Sequence, residues 1–169
     1  MNFAFLALYF VTAAASGMPA KGDRASNRGP CPDGWWGDIM LGSHHIRPYR
    51  HFDEFNPGVG FECSFTRQWA SSIGYFRNSL DRPSFYAGAV YTPQLMHWRW
   101  FRLGAMGGII SGYNFGRFGV GSKNRTGAVL APTAVTQFGR FGMNFILVPP
   151  IRESNLPFTV GFQVKIRFK

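Results

Sequence analysis

Nowhere in these 169 residues does an apolar run approach the ~18–20 residues that a membrane-spanning helix requires. That absence argues against a bundle of membrane-spanning helices. Charged residues are also scarce, at 15%, and acids are the scarcer sign, with 8 Asp and Glu against 18 Lys and Arg. The resulting net charge of +10 raises nucleic acid as a partner. The chain has no compact basic run, no zinc spacing and no recognition-helix pattern, however, and its basic residues are scattered singly. Anionic lipid headgroups fit that dispersion better, and no nucleic acid is expected. Cysteine is limited to Cys31 and Cys63. Two cysteines exclude a disulfide-dense scaffold, and leave a single pair or two free thiols equally open. The histidines lack ligand spacing with carboxylates or cysteines on one face, so no metal and no diffusible cofactor are expected.

Glycine and aromatics are what the chain has in quantity: Gly 21, Phe 18, Trp 5 and Tyr 6. Small β-barrels use that mixture, for tapered interiors and interfacial girdles. The clearest pattern lies at the C-terminal end. Phe158, Val160, Phe162, Val164, Ile166 and Phe168 alternate with Thr159, Gly161, Gln163, Lys165 and Arg167. Period-two alternation of this length predicts a strand. An apolar face opposite a charged one suits lipid on one side and a polar lumen on the other. A soluble sandwich or lipocalin-like carrier is the competing arrangement, with the apolar face turned inward.

Phe3–Ala15 is apolar and leads into small residues, so residues 1–17 read as a secretory signal peptide, although no Lys or Arg precedes the run. An anchored N-terminal segment is the alternative. Residues 18–34 are a polar, Gly/Pro-rich lead-in, and residues 35–169 form the folded domain. Eight strands are predicted there, at roughly Trp35–Ile46, Gly58–Thr66, Trp69–Ser79, Ser84–Tyr91, Trp100–Tyr113, Ala128–Gln137, Phe141–Val148 and Phe158–Phe168. Most are near the ~9–11 residues of a tilted membrane strand. Closing eight strands removes the edges that lipid would punish. The fold predicted is therefore all-β, an eight-stranded antiparallel up-and-down transmembrane barrel in a Gram-negative outer membrane, monomeric. Connections 67–68 and 138–140 are tight, whereas 47–57, 114–127 and 149–157 are longer. The link 92–99 is the exception, moderately long on the short side. On strand five Arg102, Gly104, Met106, Gly108, Ile110 and Gly112 share a face, and on strand seven Gly142, Asn144, Ile146 and Val148 do. These faces predict either an unfilled apolar lumen suited to an acyl chain, or close packing in which glycines accept large neighbours.

Strand one ends in Gly42-Ser43-His44-His45-Ile46 and strand three in Tyr75-Phe76-Arg77-Asn78-Ser79, at the same rim. A serine needs a base within hydrogen-bond reach, and the base needs an orienting partner. His45 as base, Ser79 as nucleophile or relay and Asn78 as orienter supply those parts. A neutral Asn fixes a tautomer but stabilises an imidazolium less than a carboxylate does.

These residues carry a resemblance. Phe76-Arg77-Asn78-Ser79 followed by Ser84-Phe85-Tyr86-Ala87-Gly88 resembles the PagP family, the outer-membrane lipid A palmitoyltransferases. So do Val129-Leu130-Ala131-Pro132, Phe141-Gly142-Met143-Asn144-Phe145, Val148-Pro149-Pro150 and Ile166-Arg167-Phe168, in the same order. Upstream, His44-His45 and Asp53-Glu54-Phe55-Asn56-Pro57-Gly58-Val59-Gly60 are similar too, so that about residues 43–169 are covered. The resemblance implies an acyltransferase that moves palmitate or a somewhat shorter chain from a phospholipid donor to lipid A. It implies His45 as the catalytic histidine, with His44 as backup, and Ser79 as the serine. Asn78 stands where the family has aspartate. It also implies a chain-length gauge near Gly88 to Val90, and lateral lipid access where Pro132 and Pro149 weaken the strands. Residues 18–34 lack the apolar stripe of the family's amphipathic helix. The alternative function is a non-catalytic small barrel with a structural or adhesion role.

Overall fold

The computed structural model describes residues 29–168, so the expected signal peptide and residues 18–28 of the lead-in lie outside the described residues. Eight strands follow in order: β1 Gly34–His45, β2 Gly58–Ser64, β3 Trp69–Arg77, β4 Pro83–Tyr91, β5 Phe101–Ser111, β6 Thr126–Phe138, β7 Phe141–Val148 and β8 Thr159–Arg167. Each pairs antiparallel with the next, and β8 pairs with β1 to close the barrel. The predicted strands are all present, most within a residue or two of the predicted bounds. No edge strand remains, which is the condition for backbone to lie in hydrocarbon.

Polarity is inverted relative to a water-soluble protein. Inside, Asp38, Glu62, Ser72, Asn144, Gln163 and Lys165 are all buried. Outside, Ile39, Val59, Phe61, Ile73, Phe85, Ile109 and Leu130 are exposed, Val59 at 64% and Ile73 at 56%. Along β8, Thr159, Gln163 and Lys165 point inward while Ile166 faces out. A soluble carrier would place these faces the other way round. The chain is thus a transmembrane barrel of the outer-membrane type, even-stranded and up-and-down, with short turns at one end and longer loops at the other. A charge placed mid-strand on the outer wall tests this directly. Ile73→Arg is expected to destabilise the barrel in phospholipid vesicles by about 2–4 kcal/mol, measured by urea titration. A change near zero would mean that water, not lipid, bathes this face.

Cys31 and Cys63 form a disulfide, which ties the lead-in to β2 beside the Trp35–Cys63 register pair. Of the two arrangements open in the sequence, the paired one is observed.

Two features of strand pairing shape the loop end. β1 and β2 pair only from Gly34–Ser64 to Met40–Gly58. Beyond that point β1 carries a bulge between Met40 and Gly42, against β8. A bulge adds one residue and reverses which side chains face inward. Trp36, Asp38 and Met40 face the lumen before it, and Ser43 and His45 after it. The second feature is that β6 and β7 pair only from Thr133–Ile146 downward. Pro132, which has no N–H to donate, sits at that break, and β6 above it pairs with β5 alone.

The loops do not stand open above the barrel. Phe52, Tyr113, Phe115, Ile151 and Leu156 pack with Phe76 and Tyr86 into one buried apolar cluster. Ser154 links two loops: its hydroxyl accepts the Asn114 N–H at 2.6 Å and donates to the Asn114 carbonyl at 3.0 Å. Arg50 donates to the Ser154 carbonyl from a third. The barrel is roofed at its loop end.

Candidate functional site

Below the roof is a chamber with about 800 Å³ of unfilled space, counting its open mouth. Met40, Phe76, Met106, Ile110, Val129, Ala131, Ile146 and Val148 make most of its wall apolar. Gly108 of β5 is also at the wall, but a Cβ at Gly104 or Gly108 would collide with the β4 backbone and one at Gly112 with Ser84, so these glycines of strand five accept close neighbours. Its lining has the apolar character of a site for an apolar ligand.

The floor is polar and continuous. Gln163 donates to the Tyr86 hydroxyl at 3.1 Å, and Asn144 donates to Gln163 at 3.2 Å and to Glu62 at 3.4 Å. Lys165 donates to both Glu62 oxygens, at 2.8 and 2.9 Å. Gly60 and Gly74 let the Tyr86 side chain lie across the lumen: a Cβ on either would come within about 2.5 Å of it. Val90 lies elsewhere. It lines a smaller cavity of about 260 Å³ with Glu62, Arg102 and Lys165. Gly88 pairs with Gly108, and neither Gly88 nor Val90 is in the chamber wall. The residues of the expected gauge, Gly88 and Val90, thus lie beside and beyond the chamber rather than in its wall. Tyr86, two residues before Gly88 and on the same inward-facing side of β4, is the β4 residue at the chamber floor.

At the other end the chamber meets a collar of polar side chains. Ser43 donates to Asn56 Oδ1 at 2.5 Å, and its hydroxyl lies 3.2 Å from that of Ser79. Tyr113 lies beside Ser79, and burial pushes its phenol up to about 12, so it is neutral at physiological pH. Strands one and three do meet at this rim, as their sequences predict. The residue that β1 brings to Ser79 is Ser43 rather than His45.

His45 is next on the same face of β1, 1% exposed, with its ring stacked on Phe52 at 4.6 Å. His44 points outward and is 66% exposed. The β1 bulge thus places His45, not His44, inside. Neither ring nitrogen of His45 has a hydrogen-bond partner among the described residues, so Ser79 and Asn78 do not engage it. Its nearest carboxylate is Glu54, 3.9 Å from Nδ1, beyond hydrogen-bond length. Glu54 also accepts the His45 backbone N–H at 3.3 Å. That backbone donor, with the His44 imidazole beside it, holds the Glu54 carboxyl below the usual carboxylate range.

Asn78 has another task. Its Oδ1 accepts the Leu80 and Arg82 N–H groups, and its Nδ2 donates to Ser84 at 2.8 Å. Fully buried, it caps the β3–β4 turn. The expectation that it orients the histidine is corrected by these bonds, because its amide is already occupied. The acidic loop residue Glu54 holds the position nearest the imidazole, through the close approach of loop 46–57 to β1. Gly42 permits that approach, since a Cβ there would collide with the Glu54 carbonyl oxygen, and Ser43 donates its N–H to the same oxygen at 2.9 Å.

No protein-family model matches the chain, and no curated protein sequence does. Among solved structures, the Yersinia pestis outer membrane protein Ail, determined in a phospholipid bilayer nanodisc, is similar at 13% identity and a TM-score of 0.40. The similarity covers 80% of this chain and 99% of that one. The class defined here, an eight-stranded outer-membrane barrel with an apolar upper lumen, rests on the chain's own strand pairing and inverted polarity.

Proposed function

We propose that this barrel takes one acyl chain of a phospholipid into its lumen and transfers it to lipid A at the rim. The observation that carries this is the apolar chamber ending at the Ser43–Ser79 collar. Such a shape seats a hydrocarbon tail and leaves its ester carbonyl among hydroxyl donors. The roof closes the direct route from the loop end, and the break above Thr133–Ile146 supplies a lateral one from the bilayer. The residues that resemble lipid A palmitoyltransferases point to the same reaction.

In this mechanism His45 takes the proton of a lipid A hydroxyl, whose oxygen attacks the acyl carbonyl. The bond to the donor's glycerol oxygen breaks, and the proton leaves on the lysophospholipid. Ser79 and Ser43 donate toward the carbonyl oxygen, with Asn56 beside Ser43. Phe52 covers the imidazole in the resting state, so loop 46–57 lifts before the acceptor reaches it.

The second reading is a non-catalytic small outer-membrane barrel with a structural or adhesion role. The sealed imidazole favours it: His45 has no hydrogen-bond partner and lies under an aromatic ring.

Folded protein in vesicles holding phosphatidylethanolamine and lipid A separates the two. Lipid A mass spectra are expected to show one added acyl chain with the wild type. Met106→Trp, which fills the chamber, is expected to show none while still migrating as a folded barrel. A folded wild type that adds no chain supports the structural barrel. The floor makes a further forecast: Tyr86→Ala shifts the product to a longer acyl chain, whereas Val90→Gly leaves it unchanged. The opposite pattern would return the gauge to Val90.

A further inference from the structure

The β4–β5 connection, 92–100, lies at the short-turn end and is built unlike a water-exposed turn. It carries Leu95 at 96% exposure, Met96 at 46%, Trp98 at 57% and Trp100 at 52%. Clusters of large exposed apolar side chains mark contact surfaces. The segment is also well ordered by hydrogen bonds. Gln94–Met96 form a short 3-10 turn, the His97 ring is 2.8 Å from the Thr92 carbonyl, and Trp98 donates its N–H to the Phe101 carbonyl. Thr92 donates its N–H to the Gln68 carbonyl, which fastens the connection to the β2–β3 turn. Its apolar side chains are held outward by a fixed backbone.

We propose that this connection is a membrane foot, seated in the headgroup and upper acyl region of the leaflet at the short-turn end. Continuity with the lipid-facing wall identifies the occupant as lipid. Trp98 packs on Phe101 at 5.7 Å and Trp100 on Phe138 at 5.8 Å, so the foot extends the outer wall beyond the strand ends. Its composition fits the interface: Trp beside Arg, with no acidic residue from 92 to 103. Arg99 lies 4.8 Å over the Trp100 ring, a basic group at headgroup level. Amphipathic aromatic rings settle at this depth, and a basic residue adds attraction to anionic headgroups. The foot sets how deeply the barrel sits, and it does so whether or not the chamber performs acyl transfer.

The test uses the full barrel, with its disulfide formed, in phosphatidylethanolamine–phosphatidylglycerol vesicles. Leu95→Cys is labelled with an environment-sensitive fluorophore, and heat-modifiable migration confirms folding. The expected result is blue-shifted emission, quenched by shallow spin-labelled lipid and shielded from aqueous iodide. Emission as in water with full iodide quenching would overturn the proposal. So would a blue shift that disappears on dilution of protein in lipid, which would mean a second copy covers the patch. Arg99→Ala is expected to weaken the dependence of the blue shift on phosphatidylglycerol; an unchanged dependence removes the headgroup contact.

Discussion

Lys165→Met is expected to destabilise the folded barrel by about 3–5 kcal/mol, the cost of leaving a buried charge without its partner. Lys165 and Glu62 are 1% and 4% exposed, and the ammonium donates to both carboxylate oxygens. It also lies 4.9 Å from the Trp36 ring. Asp38 lies beside the pair. It is the cross-strand neighbour of Lys165, 2% exposed, and neither of its oxygens has a hydrogen-bond partner among the described residues. Removing the ammonium therefore leaves the Glu62 carboxylate buried without its cation. Glu62→Gln combined with Lys165→Met is expected to recover much of the loss, since neutral groups need not be paired as charges must. Urea titration of the folded protein in vesicles measures all three variants. If the single variant costs under ~1 kcal/mol, or the double costs as much as the single, the pair is hydrated and the floor is not a seal.

His45→Ala is expected to lower acyl transfer by about 10²–10⁴-fold, the usual contribution of a general base. Glu54→Gln is expected to lower it by a smaller factor and leave the barrel folded. Glu54 is the carboxylate nearest Nδ1, and catalytic hydrogen bonds are often long before substrate binds. A merely structural Glu54 would leave the pH profile unmoved, whereas a positioning role shifts its ascending limb in Glu54→Gln. Asn78→Asp is expected to bring no gain, because that side chain serves the β3–β4 turn. Full activity in His45→Ala would remove His45 from the mechanism, and a gain in Asn78→Asp would restore Asn78 as orienter. The acid limit follows from the same loop. The Glu54 carboxyl is held below its ordinary range, so its contribution is complete above the usual carboxylate pKa. It is lost as pH falls through its lower folded value. Docking of loop 46–57 onto β1 is thus expected to persist at mildly acidic pH and fail only below the ordinary carboxylate range.

The strands were legible because their signal is local. On β8 each side chain's face is set by its parity along the backbone, and no distant contact is needed to read it. The eight strands and the short-turn end followed the same way. The histidine pair was not resolved by parity, because one extra residue between Met40 and Gly42 reverses it. That bulge is stabilised by Glu54, twelve residues beyond Gly42, whose backbone fits only against a glycine. Asn78 misled for a related reason. Its adjacency to Ser79 suggested shared chemistry, while its amide instead closes the β3–β4 turn through Leu80, Arg82 and Ser84. Asp81 does adopt the left-handed conformation there.

What the sequence determined by itself was the inverted wall: alternating strands, apolar outward, long enough to cross a bilayer. What only the tertiary structure decided was the content of the lumen. Glu62 and Lys165 are 103 residues apart, and Ser43 meets Ser79 only after three strands have turned and closed. Alternation says which side chains face inward. The register and stagger of the closed barrel decide which of them meet.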